Sequence, residues 1–153
     1  MFSSRPQRRR QEVDRRRLQL KRWHTEIIHT VDQLSAVQRA VTARMTSAGY
    51  PERKLFAMQL ALEEAIVNAI KHGHHGDAKK SVRVRYRLDP TRLEAEICDQ
   101  GPGFDPRRVP DPTAPENLER PSGRGLLLMR HFMTSIRFNK RGNCVTLCLE
   151  RSG

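Results

Sequence analysis

From Trp23 onward the apolar positions recur with a period that changes from segment to segment. "WHTEIIH", residues 23–29, alternates as a short strand does. In "TVDQLSAVQRAVTARMTSAGY", Leu34, Val37, Val41 and Met45 fall three and four residues apart, the stripe of an amphipathic helix that Gly49 closes. A second helix is expected to start at Pro51, whose missing N–H costs nothing in a first turn, and to run to about His72 or His75. Its stripe is Leu55, Met58, Leu62, Ile66 and Ala69.

Two strands follow, "SVRVRYRL" and "RLEAEICD", joined at the turn sequence "DPT". In the first, Val82, Val84, Tyr86 and Leu88 alternate with arginines, which predicts one buried and one wet face. Residues 100–122 then form a loop that holds six of the nine prolines. It is longer than a connection needs, as functional lids are. "GRGLLLMRHFM" predicts a third helix, and "TSIRFNKRGNCVTLCLER" a closing hairpin that turns at "NKRGN". The order β-α-α-β-β-loop-α-β-β predicts an α+β fold, a two-layer sandwich whose mostly antiparallel sheet carries its helices on one face.

Length and charge refine this picture. A chain of 153 residues suits one domain, taken here as 23–151, with an arm over 1–22. That arm holds nine Lys or Arg against Glu12 and Asp14, and so a large part of the net charge of +12. Such a segment reads as a solvated, disordered tail; the alternative is a contact with nucleic acid or an acidic partner, since clustered guanidiniums release counterions from phosphates. No run approaches the ~20 apolar residues of a membrane span and no apolar segment follows the basic start, so a cytoplasmic protein is expected. Cys98, Cys144 and Cys148 are odd in number and lack a C-x-x-C pair, which argues against a disulfide scaffold or a thiolate zinc site. His72, His74 and His75 are expected at a solvated helix end.

Three segments can carry chemistry. In "LEEAIVNAIKHG", Glu64 and Asn68 are four apart and Lys71 and His72 follow at three and four, so a carboxylate, an amide and an ammonium share one helix face. They suit a hydroxyl, a Mg²⁺ and a phosphate; taken alone, the pattern also fits an exposed polar face. In "RLEAEICDQGPGFDP", Asp99 ends the apolar row Leu93, Ala95, Ile97. A carboxylate leaving a strand on its core side must find donors, and an adenine amino group would serve. Gly101 and Gly103 let the backbone approach a flat ligand and turn away. In "SGRGLLLMR", Ser122, Gly123 and Gly125 lie just before an apolar helix, whose free N–H groups suit phosphate. A glycine-rich turn of no function is the alternative for each of the last two.

Together and in this order, "EEAIVNAIKHG", "DQGPGFDP" and "GRGLLLMRHFM" resemble the Bergerat-type ATP-binding domain of gyrase and histidine kinases. Within that group the chain is most similar to the bacterial anti-sigma-factor serine kinases of the RsbW and SpoIIAB kind, over nearly all of residues 23–151. The resemblance implies ATP or ADP and Mg²⁺ as ligands, Asn68 as the metal residue and Glu64 as the general base, with Glu63 fitting less well. Asp99 matches the adenine acid, Gly101 and Gly103 the hinge glycines, and Gly123 and Gly125 the lid glycines. Lys71 and Arg124 are phosphate contacts by charge and place. His72, Phe104, Ser122, Leu126 and Thr146 complete the expected nucleotide contacts. The implied partners are an anti-anti-sigma protein of the STAS type, as substrate, and a sigma factor; a homodimer is a further expectation. With only ~22 residues ahead of the domain, too few for a two-helix phosphoacceptor module, the chain is expected to act on a separate protein. Two departures stand out: Val67 occupies a position where some members carry a small hydroxyl residue, and the basic arm has no counterpart. A nucleotide-gated binding module without phosphotransfer is the alternative function.

Overall fold

The computed structural model describes residues 7–8, 22–103 and 121–152. Strand β1 (His24–Ile28) leads through a short 3-10 turn (Val31–Gln33) into helix α1 (Leu34–Ser47). The turn is fixed from both sides, since the Gln33 side chain accepts the Thr30 N–H at 3.1 Å. Leu34, Val37, Val41 and Met45 are all buried, as their spacing requires. Helix α1 ends in a left-handed Gly49 (φ +87°), with Gly49 N–H donating to Thr46 O at 3.1 Å and Tyr50 N–H to Met45 O at 3.0 Å. Both bonds satisfy carbonyls that the helix itself leaves open.

Pro51 takes the extended cap position instead of the first helical one, and helix α2 runs from Glu52 to Asn68. Its buried face is Ala57, Met58, Ala61, Leu62, Ala65 and Ile66. Beyond Asn68 the helix widens into one π turn, Ala69–Gly73, where His74 N–H donates to Ala69 O at 3.0 Å. Regular helical periodicity predicts no such turn; widenings of this kind concentrate at functional sites.

Strands β2 (Val82–Leu88), β3 (Arg92–Cys98), β4 (Ser135–Phe138) and β5 (Cys144–Glu150) join β1 in one sheet of order β1-β2-β3-β5-β4, with every pairing antiparallel. Helix α3 (Pro121–Phe132) precedes β4. The expected two-layer α+β architecture is therefore present. Val82, Val84, Tyr86 and Leu88 meet Leu93, Ala95, Ile97, Val145, Leu147 and Leu149 in the core beneath the helices.

The opposite sheet face has no helix over it among the described residues, and a charge ladder covers it. Arg85 faces Glu96 and Arg87 faces Glu94 in register, at 2.9 and 2.8 Å. Arg83 adds a contact to Glu96, and Arg92 one to Glu94. Trp23 lies against the Arg85 and Arg87 guanidiniums, 4.3 and 4.4 Å from its ring centre. Opposed charges at directly facing positions are the cross-strand pairing that steadies an exposed sheet. Burial alone would raise the Glu94 carboxyl, but its bond to Arg87 and the charges of Arg87, Arg92 and Arg137 bring it below its ordinary value.

The cysteine count, which argues against a disulfide scaffold, does not foresee a single bridge. Cys98 and Cys144 stand directly opposite each other on β3 and β5 and form a disulfide, leaving Cys148 free. An odd count without a C-x-x-C pair says nothing about residues 46 apart that strand register brings together.

Truncating Leu62, which is 0% exposed, to Ala is expected to cost about 2–5 kcal/mol of folding stability. Leu127→Ala, at a position 50% exposed, is expected to cost no more than about 0.5 kcal/mol. Urea denaturation of the two variants checks the difference.

Candidate nucleotide site

Helix α2 supplies one end of the site. Glu64 and Asn68, one turn apart, both reach the backbone of Gly125 in α3: a methyl group placed on Gly125 would lie 2.5 Å from Glu64 Oε2 and 3.1 Å from Asn68 Nδ2. Only a residue without a side chain lets the carboxylate and the amide come this close to the start of α3. Burial, followed by the repulsion of neighbouring Glu63, raises the Glu64 carboxyl above its ordinary value. A raised carboxyl holds its proton more strongly, which suits a group that must take one during a reaction.

The end of β3 supplies the other pole. Asp99 Oδ1 accepts the Gly101 N–H at 2.8 Å. Gly73, the last residue of the π turn, rests on the carboxylate; a methyl there would lie 2.6 Å from Asp99 Cγ. A methyl on Gly101 would in turn strike the Gly73 carbonyl, and one on left-handed Gly103 (φ +80°) would strike the Arg141 carbonyl. The hinge glycines thus admit neighbouring backbone, not only a ligand. Asn143 completes the seat: Asp99 N–H donates to Asn143 O at 2.8 Å, and Asn143 Nδ2 donates to Asp99 O at 3.0 Å. Burial dominates the Asp99 ionisation and raises it, outweighing the Gly101 bond and the charges of His74, Lys80 and Arg141.

His74 departs from its expected place at a solvated helix end. It is 2% exposed, and its Nε2 accepts the Gln100 N–H at 2.7 Å. Burial lowers its pKa, so the ring is neutral and able to accept. It holds the residue after Asp99, and only the π turn places it there. Neither His74 nor Asn143 was legible as a site residue, since each acts through a backbone contact made by the fold.

The remaining candidates distribute unevenly. Lys71 lies exposed on the π turn, three residues after Asn68. Leu126 is buried in α3 beside Gly125. Helix α3 begins at Pro121, so Ser122, Gly123 and Gly125 belong to its first turns and not to a loop before it. The unbonded N–H groups within such a helix are those of residues 122 and 123, ahead of Gly125 rather than beyond it. The structure does not bring Thr146 to this cluster: it pairs with Glu96 and Arg137, and its neighbours Val145 and Leu147 take the core face. Phe104 and the lid segment 104–120 lie outside the described residues, as do the side chains of His72, Ser122 and Arg124 and nearly all of the basic arm.

A two-layer α+β domain with a helical Glu–Asn pair at one end of a site and a strand-exit aspartate at the other is the framework of a nucleotide-binding domain. Residues 27–149 match the model of the histidine kinase-like ATPase domain, and the chain belongs to that family. It is similar to the "Serine/threonine-protein kinase BtrW" of Bordetella bronchiseptica, with 29% identity over 91 residues, 58% of this chain and 64% of that protein. It is similar to the "Serine-protein kinase RsbW" of Bacillus licheniformis, 27% identical over 69% of this chain and 70% of that protein. An "Anti-sigma F factor" of Bacillus thuringiensis is 32% identical over 114 residues, 68% of this chain and 77% of that protein. These relatives place the chain with the RsbW-like branch, and the ATPase domain implies ATP binding. Among the described residues no helix is long and apolar enough to cross a membrane.

Ionising Asp99 works against folding, because its folded pKa lies above the unfolded one; the penalty is absent well below pH 3.8 and complete above the raised value. Asp99→Asn keeps an acceptor for Gly101 and removes the charge. Its melting temperature at pH 7 is expected to equal or exceed that of the parent, and the gap to close at acidic pH; a clear loss at pH 7 in thermal scans would contradict this account. Gly73→Ala, by displacing the Asp99 carboxylate, is expected to weaken ADP binding about tenfold or more in calorimetry, a loss of ~1.4 kcal/mol or greater.

Proposed function

We propose that the chain is an ATP-dependent protein-serine kinase that also acts as an anti-sigma factor, phosphorylating an anti-anti-sigma protein and holding a sigma factor in its absence. The observation that supports this most is the meeting of Glu64 and Asn68 at Gly125, with Asp99 seated under Gly73 at the far pole. The carboxylate that can accept a proton and the amide that can face a metal stand together against Gly125 of α3. The purine acid stands apart from them.

In this reading the Asp99 carboxylate accepts a hydrogen bond from the adenine amino group, which supplies a partner for a charge that burial disfavours. The N–H groups of the first turn of α3 receive phosphate oxygens. Mg²⁺ does not require a group of three His, Cys, Asp or Glu side chains, and none occurs among the described residues. That ion keeps most of its waters, binds substrate phosphates and asks one or two oxygens of the protein. Asn68 would supply such an oxygen; when bound, Mg²⁺ neutralises charge on the phosphates. Glu64 takes the proton of the partner's serine hydroxyl as its oxygen approaches the γ-phosphate, a contribution of ~10²- to 10⁴-fold. A new phosphate on the partner then repels acidic neighbours at the interface and releases the kinase to the sigma factor.

Lys71 and Arg124 complete the phosphate contacts by charge, and the arginine-rich arm offers a surface to an acidic partner. Self-association through a homodimer also belongs to this reading.

Glu64→Gln is expected to bind ATP as the parent does and to lose phosphate transfer to the partner by ~10²- to 10⁴-fold. Asp99→Asn is expected to lose about 1.5–3 kcal/mol of ATP affinity. Calorimetry and labelling with γ-phosphate-tagged ATP separate the two effects. Equal loss of binding in both would refute the division of roles. ATP binding with no labelled partner at all would leave a nucleotide-gated binder.

A further inference from the structure

The disulfide lies directly behind the purine end of the proposed site. Cys98 precedes Asp99 and Cys144 follows Asn143, and these two neighbours exchange hydrogen bonds at 2.8 and 3.0 Å. Side chains alternate across a sheet, so the sulfurs lie on the open face while Asp99 and Asn143 turn toward the helices. The same corner is tied through Asn139, whose Oδ1 accepts the N–H groups of Gly142 and Asn143 at 2.8 and 3.1 Å. Gly103 packs on the carbonyl of Arg141 in that turn. One covalent bond therefore spans the strand ends that together seat the aspartate and start the hinge.

We propose that the Cys98–Cys144 pair is a thiol–disulfide modification site, read by dithiol reductants and low-molecular-weight disulfides, that sets the affinity of the purine pole for nucleotide. The inference rests on the nucleotide reading of Asp99. Of the two sulfurs, that of Cys144 belongs to the more exposed residue and is the one a reductant meets. A thiolate of the dithiol attacks Cys144 Sγ, the S–S bond breaks, and Cys98 leaves as a thiolate. Arg83 Nη2 lies 3.6 Å from Cys98 Sγ, and a guanidinium beside a sulfur lowers the thiol pKa and speeds its departure. Glu96 also touches this sulfur, but its carboxylate is already shared by Arg83 and Arg85. The second thiol of the reductant then releases Cys144, closes its own disulfide and leaves two protein thiols, a balanced two-electron exchange. A low-molecular-weight disulfide runs the sequence in reverse. Cys148, four residues along β5, lies next to Glu94 in register and takes no part.

With the bond open, the two strand ends are held by hydrogen bonds alone, and the Asp99 seat opens more readily. The test uses the full chain, oxidised with a small disulfide or reduced with dithiothreitol, titrated calorimetrically with ADP and Mg²⁺ after thiol counting. Oxidised protein is expected to show one free thiol and reduced protein three, with ADP binding at least about fivefold weaker in the reduced form, the lower range of coupling between linked sites. Reciprocity requires ADP to lower the midpoint potential of the pair by about 20 mV, that fivefold factor converted for two electrons. Cys148→Ser should respond as the parent does. The Cys98→Ser, Cys144→Ser double variant should bind weakly and ignore redox state, and Cys144→Ser alone serves if the double variant does not fold. Three free thiols after oxidation, or equal ADP affinity in both states, overturns the proposal while leaving the nucleotide site intact. Absence of ADP binding in both states overturns this proposal and the nucleotide reading together.

Discussion

Close approach without side chains is the constraint on which the rest of this molecule depends. Gly73 rests on Asp99, Gly101 on Gly73, and Gly125 on Glu64 and Asn68. At each place a polar side chain or a carbonyl occupies the space that a Cβ would need. The chain must therefore close at two points with almost no freedom, one where the π turn meets the exit of β3 and one where α2 meets α3 at Gly125. The π turn at residues 69–73 makes the first of these possible, because it carries Gly73 and buried His74 over the end of the sheet. The hydrophobic stripe of α2 makes the second possible by fixing the helix rotation, with Met58, Leu62 and Ile66 inward and Glu64 and Asn68 toward α3.

The same packing places two carboxylates where ionisation is unfavourable. Glu64 and Asp99 both titrate above their ordinary values, in each case chiefly because burial strips water from the charged form. Elsewhere the protein does the opposite. Glu94 and Glu96, on the open face, are surrounded by Arg83, Arg85, Arg87 and Arg92 and titrate below their ordinary values. Carboxylates that hold the sheet together are paired by arginines, whereas at Glu64 and Asp99 burial outweighs what the protein offers the charge. Burial alone does not produce this contrast, since Glu94 is 8% exposed and yet satisfied by its arginines.

Helices α1, α2 and α3 leave one sheet face open, and there charge rather than apolar packing covers the described residues. The arginines on β2 that make the chain look generically basic are cross-strand partners of β3 glutamates, with Trp23 laid across two of them. Only part of the net charge of +12 is therefore available to recruit partners. The disulfide sits at the end of the same face and links this ladder to the Asp99 seat on the other side of the sheet.

Periodicity alone determined the element order, the helical and strand faces and the two-layer arrangement, because burying one stripe or one row admits few solutions for so short a chain. The spacing of Glu64 and Asn68 and the place of Asp99 at a strand exit were equally legible, since both follow from local geometry. What the sequence could not show were contacts between residues far apart in the chain. The Cys98–Cys144 bond comes from strand register, the burial of His74 from a single widened helical turn, and the exclusion of Thr146 from the side of β5 on which it falls. The start of α3 at Pro121 likewise moved the free N–H groups ahead of Gly125. Local patterns repeat over one turn or two residues and are written in consecutive positions. Register, helix widening and the meeting of distant backbones are settled only when the whole core closes, because only then does each alternative meet a neighbour that excludes it.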